Sequence, residues 1–380
     1  MPMITENNYT FRSADGVTPI HVREWVPDCD INGVVQIAHG INEYIGRYAD
    51  FARFLASKGF VVVGNDHLGH GESVLGPEYV GFFAMEDGWY KVTADIETLR
   101  RLTAEKWPDV PYFLFGHSMG SFLARTHLIR YPEAPLAGVI LSGTGQPPEP
   151  VVAAGRFLCD GDMLKNGPMH RSETISNVAF GSYNKAFEPK RTKYDWLTRD
   201  EAVVDAYAKD PLCTFTPTTS LFRDMMYGLS IIGRQRNLAK LNKDLPVWFF
   251  AGDHDPVGNM GQGVRRVCHQ THIDSHRRAD ACQHNAQNEQ QQILPQVWQS
   301  EIQNHAAQAQ KAAEHQTEGQ LQQIPDPRML AAQQELNAHK GGVGDEGHHR
   351  EGQAPDLGDA KWHGDQRRHA KSRDGIERNT

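Results

Sequence analysis

No stretch of this chain approaches the ~20 consecutive apolar residues that a helix needs to cross a bilayer. The opening Met1-Pro2-Met3-Ile4-Thr5-Glu6-Asn7 carries neither a basic nor an apolar run. Both absences argue against a signal peptide or an anchor and set the expectation of a soluble, cytoplasmic protein. An excess of positive charge is also missing. The formal net charge is −8 over 380 residues, which gives no reason to expect nucleic acid as a partner. The five cysteines, Cys29, Cys159, Cys213, Cys268 and Cys282, are scattered and odd in number, so they suggest neither a disulfide framework nor a zinc-ligand spacing. One further absence is local. All 16 phenylalanines and all 11 tyrosines precede Val267, whereas 19 of the 23 glutamines and 11 of the 19 histidines follow it. Two kinds of sequence meet at that point.

Before Val267 the chain alternates between strand and helix patterns. Val17 to Trp25, Gly33 to Ala38, Phe60 to Asp66, Tyr112 to Phe115, Ala137 to Ser142 and Pro246 to Gly252 read as strands, most of them short apolar runs suited to burial on both faces. Arg47 to Lys58 and Asp87 to Lys106 carry apolar residues at helical spacing. From Gly143 to about Leu241 no buried-strand run occurs, only helical patterns such as Glu201 to Lys209 and Thr219 to Gly233. The expected architecture is a mostly parallel sheet flanked by helices, with a helical insertion between two of its strands. Residues 10–144 and 242–267 would form the sheet-bearing part and residues 145–241 the insertion.

The strand Tyr112-Phe113-Leu114-Phe115 runs into Gly116-His117-Ser118-Met119-Gly120, and a helix-compatible segment follows at once. A serine on so sharp a turn sits in a strained backbone conformation, and glycines on either side remove Cβ atoms that would clash. Ser118 is the candidate nucleophile. Three more segments end in loops rich in glycine and titratable residues: His39-Gly40-Ile41, Asp66-His67-Leu68-Gly69-His70-Gly71-Glu72-Ser73 and Gly252-Asp253-His254-Asp255-Pro256-Val257. Together and in this order the four segments resemble α/β-hydrolases of the monoacylglycerol lipase and lysophospholipase-like group, also labelled serine aminopeptidase S33. The resemblance covers residues from about 10 to 267.

That resemblance implies a serine hydrolase acting through an acyl-serine intermediate on monoacylglycerol- or lysophospholipid-like esters, with no cofactor and no metal. Asp255 would be the orienting acid, and the backbone amides of Ile41 and Met119 would hold the oxyanion. His39, His67, His70 and His117 read as structural. The insertion would act as a cap, with Phe157, Leu158, Phe180, Phe187, Leu221, Phe222, Met225, Met226 and Ile231 as candidates for an acyl-chain tunnel or simply for core. A lipid substrate leaves room for transient contact with a membrane surface, although no basic amphipathic helix demands it. A peptidase or small-acyl enzyme on the same fold is the alternative.

The base is the difficulty. A Gly-x-x-His-like loop roughly thirty residues beyond the acid is implied, and none is present. His284 lies at about that separation but follows no apolar strand. Residues 268–380 are therefore read as a tail foreign to the family, disordered or loosely helical. They fit an out-of-frame translation, with a genuine polar extension or a histidine-rich metal-binding tail as other accounts. On the first account the chain would lack its base and keep only ligand binding.

Overall fold

The computed structural model describes residues 2–271. Its strands are β1 (Ile4–Arg12), β2 (Pro19–Pro27), β3 (Gly33–Ala38), β4 (Phe60–Asn65), β5 (Tyr112–His117), β6 (Gly138–Ser142) and β7 (Val247–Phe250). Among the described residues they form one sheet in the order β1-β2-β4-β3-β5-β6-β7. β1 and β2 pair antiparallel, as do β2 and β4, and the remaining pairs are parallel. The mostly parallel sheet is as expected. β1 is not: it pairs with β2 from Ile4↔Pro27 onward, so the sheet begins before residue 10, where the sequence reading starts it.

The central strands are largely apolar because both faces are covered, and side-chain alternation divides them between two cores. Phe113, Phe115 and Ile140 pack with Ala52, Leu55 and Ala56 of α1 (Ala49–Ala56). Leu114, Val139 and Leu141 face the other way, toward α2 (Gly88–Lys106) and α3 (Met119–Arg130). The one buried polar side chain in β3 is satisfied on both ends. Gln36 donates to the Ile96 carbonyl at 2.9 Å and accepts from the Tyr112 hydroxyl at 2.7 Å.

Between β6 and β7 the chain forms helices only: α4 (Glu149–Asn166), α5 (Glu173–Phe180), α6 (Glu201–Lys209), α7 (Thr219–Ile232) and α8 (Gln235–Leu238). Ser172, Asp200 and Thr218 cap α5, α6 and α7 by accepting amide protons of the first turn. α7 is no detached lid. Leu221, Phe222, Met225 and Leu229 share a core with α2 and α3, and Gly228 lies so close to the Trp89 ring that no side chain fits between them. Of the residues considered for a tunnel, Leu221, Phe222, Met225 and Ile231 are core, whereas Phe157 is 81% exposed. After β7, α9 (Gln262–Thr271) runs through Val267 without a break. The tail assigned to residues 268–380, with His284, otherwise lies outside the described residues.

Trp89 joins α2, α3 and α7. It is 1% exposed, and its indole nitrogen donates to Thr126 Oγ1 at 3.0 Å. Trp89→Ala should cost about 3–5 kcal/mol, read from urea unfolding at neutral pH. A loss below about 1 kcal/mol would contradict this packing.

Candidate active site

β5 ends at His117 and α3 begins at Met119, so Ser118 alone makes the turn. Its φ of 49° and ψ of −118° lie where a residue with a Cβ is strained, at a cost of about 1–3 kcal/mol unless its surroundings fix it. They do. The Ser118 N–H donates to the Ser142 carbonyl at 2.9 Å, and the Ser118 carbonyl accepts from the Ser121 hydroxyl at 2.6 Å. The flanking glycines are required by close backbone approach. A Cβ on Gly116 would meet the Gly120 carbonyl, and one on Gly120 would meet the carbonyl of Ala38 at the end of β3.

The loop after β3 therefore lies against the elbow. A Cβ on Gly40 would come within 3.2 Å of the Ser118 Cβ. Among the described residues neither the Ile41 amide nor the Met119 amide has an acceptor. Met119 is buried and opens α3, where helical amides have no partner of their own and the helix dipole is positive. Glu43, which the sequence reading did not single out, holds this loop: its buried carboxylate accepts the Gly40 N–H and the Tyr48 hydroxyl. Nothing local in the sequence says which amide a carboxylate three residues on will take.

Behind the loop stand His39, His67 and His70, all fully buried. The His67 N–H donates to His39 Nε2 at 2.9 Å, which puts the His39 proton on Nδ1, facing the Gly40 carbonyl at 2.7 Å. His67 Nε2 in turn meets the His39 carbonyl at 3.0 Å. Asp66 ties the two loops together by accepting the amides of Ile45 and Glu72. Their structural reading fits this web. Among the described residues no cluster of His, Cys, Asp or Glu is arranged to hold a metal ion.

The third approach comes from β7. Register sets His117 beside Ser142 and Ser142 beside Phe250, so the end of β6 separates Ser118 from the loop carrying Asp255. At that end Gly143 turns with φ 57°. A Cβ there would stand 3.3 Å from His117 Cε1 and 3.4 Å from Asp255 Oδ2. Asp255 thus reaches over β6 toward the elbow, with Oδ1 accepting the Val257 amide at 2.9 Å. Burial raises its pKa, opposed by that amide and by His117. Asp253 is exposed instead, 3.9 Å from Arg199. His117 Nδ1 lies 3.1 Å from Ser142 Oγ. Among the described residues no histidine is hydrogen-bonded to Ser118, and His284 lies outside them.

One buried cation borders this region. Arg125 of α3 donates to the carbonyls of Gly145 and Ile232 and to the Gln146 side chain, with no carboxylate in ion-pair range among the described residues. Burial pulls its guanidinium down to about 9, which leaves it charged at neutral pH.

Burial, and for His39 and His67 the neighbouring rings, hold the three histidines neutral: His39 falls well below its ordinary 6.5, His67 to about 3 and His70 to about 4. Depressed folded values against ordinary unfolded ones mean that their share of stability is whole above pH 6.5. It drains away as pH falls toward 4 and below. His21, raised by its bond to Asp66, moves the opposite way, its share being whole below pH 6.5 and lost at higher pH. In a ring-nitrogen NMR titration from pH 8 to 5, His39, His67 and His70 should stay neutral, with His39 in the Nδ1–H form. Protonation of any of the three near pH 6.5 would refute this packing.

A family model described as serine aminopeptidase, S33 matches residues 30–291, beyond the Val267 limit drawn from the sequence. The chain is 29% identical over 208 residues to the monoacylglycerol lipase of Mycolicibacterium smegmatis, covering 55% of this chain and 65% of that protein. It is 26% identical over 209 residues to the monoglyceride lipase of Rattus norvegicus, covering 53% and 58%. With phospholipase YtpA of Bacillus subtilis it shares 31% over 203 residues, covering 53% and 68%. The chain thus spans about 58–68% of the length of these relatives. A thermostable carboxyl esterase from Bacillus coagulans, solved in complex with glycerol, superposes with a TM-score of 0.69 at 25% identity. That match covers 80% of this chain and 99% of the esterase. A match of that extent, on a sheet whose β5 ends in a strained serine elbow, means that the chain belongs to the serine aminopeptidase S33 family and has the α/β-hydrolase fold.

Proposed function

We propose that the chain is a carboxylic-ester hydrolase that cleaves monoacylglycerol- or lysophospholipid-like esters through an acyl-Ser118 intermediate. The observation that supports this reading is the gathering of three strand ends around the elbow after β5: the Gly40 loop after β3 lies against Ser118, and the Asp255 loop after β7 lies beside Gly143, next to His117. The substrate class follows the relatives named as monoacylglycerol lipases and a phospholipase. Residues 145–241 serve as the cap over this site.

In this mechanism Ser118 Oγ attacks the ester carbonyl while an imidazole takes its proton. The tetrahedral oxyanion is held by the Ile41 and Met119 amides, worth about 10²–10³ in rate per donor. The alcohol leaves with the proton from the imidazole, and water then releases the acid from Ser118 by the same steps. Asp255 fixes the tautomer of the base. His284 is the base that the sequence offers, and it falls inside the matched span 30–291.

A second reading follows the change of composition at Val267, before which all the phenylalanines and tyrosines lie and after which most of the glutamines and histidines do. On it, residues 268–380 are an out-of-frame translation and the chain retains ligand binding alone. The two readings part on one experiment. A fluorophosphonate should label the wild-type protein and fail on Ser118→Ala at an unchanged melting temperature, while Asp255→Asn should lower kcat on the order of 10⁴-fold. An unlabelled wild type would sink the active-enzyme reading. His284→Ala that keeps full activity would remove that base. Aminoacyl arylamides cleaved faster than long-chain glycerol monoesters would overturn the substrate class in favour of a peptidase.

A further inference from the structure

The loop that carries Ile41 is held from two sides, and one of them is the insertion. From the hydrolase body, the Glu43 carboxylate takes the Gly40 N–H. From the insertion, the Tyr207 hydroxyl on α6 donates to the Asn42 carbonyl at 3.0 Å, and Asn42 Nδ2 donates to the Phe215 carbonyl. Ile41 is suspended between these two anchored neighbours. Asn42 stands at φ 55°, in the left-handed region that asparagine tolerates better than most non-glycine residues. The two anchors are joined to each other: the Arg47 guanidinium lies 4.7 Å from the centre of the Tyr207 ring and 3.3 Å from Glu43 Oε2. Tyr207 is buried. Burial also raises its pKa far above the usual tyrosine value, so its hydroxyl stays a donor at any working pH.

We propose that Tyr207 and Asn42 are positioning residues that aim the Ile41 amide at the oxyanion, so that seating of the α6 segment makes the site competent. This rests on the acyl-Ser118 reading above. An amide displaced by a fraction of an ångström loses most of its value to a developing charge, whereas it affects an uncharged ground state little. The coupling therefore acts on kcat rather than KM.

Tyr207→Phe keeps the ring under Arg47 and deletes only the hydroxyl. It should lower kcat for a glycerol monoester by about 10–100-fold at unchanged KM. Phosphonylation of Ser118 should slow in parallel, because the phosphonyl oxygen occupies the oxyanion position. Amide hydrogen exchange at Ile41 and Asn42 should quicken. Tyr44→Phe is the control: it breaks the Tyr44–Asp210 hydrogen bond of 3.0 Å across the same interface without touching Asn42, and should leave all three readouts unchanged. Equal losses in both variants would mean general loosening of the insertion and would overturn the proposal. So would a Tyr207→Phe protein with a lowered unfolding midpoint but intact kcat and exchange. If the wild type is never labelled, the acyl-Ser118 reading fails by itself, and the exchange comparison still decides whether Tyr207 holds the loop.

Discussion

The first turn of α3 lies so close to the end of β3 that no Cβ fits at Gly120, and the geometry of the site depends on this contact. It brings the Gly40 loop against Ser118, and the Met119 amide has no acceptor among the described residues at a buried helix start. It also requires Ser118 to turn in a strained conformation, since strand and helix have no room for a longer connection. The strain is bearable because hydrogen bonds from Ser121 and to Ser142 fix the turn at both ends.

Around that contact the protein buries polar side chains, and they are accommodated in different ways. The three histidines stay neutral and share hydrogen bonds with backbone. Asp66 and Glu43 spend their charge on loop amides, bonds roughly twice as strong as those between neutral groups. Arg125 cannot shed its proton near neutral pH, so it is dispersed over carbonyl oxygens.

Much of this was legible in the sequence where the signal is local. Tyr112 to Gly120 announces its strand, turn and helix because burial on both faces and close glycine packing leave few residue types able to satisfy them. β1 escaped notice for the opposite reason. Thr5, Glu6, Asn7 and Asn8 are all exposed, and a strand that among the described residues pairs only with β2 carries little apolar alternation to read. Asp255 was separable from Asp253 only by resemblance, whereas the structure separates them by burial and by distance from Gly143. Glu43 and Tyr207 could not be read at all, because their roles arise from contacts across the fold that leave no spacing pattern behind.

Arg125 touches Gly145 and Gln146, where the chain leaves β6, and Ile232, where α7 ends. One side chain thus gathers the departure and return of about 85 residues into a single knot. From the side of the sheet, everything between those points is a closed loop whose ends are already joined, and loop-closure entropy grows only slowly with length. Connections within that segment can lengthen or shorten at little entropic cost, whereas Tyr207 and the core face of α7 hold fixed places against the sheet-bearing part. The freedom of the insertion thus lies in its outward connections, and its inward contacts are as constrained as the strands they meet.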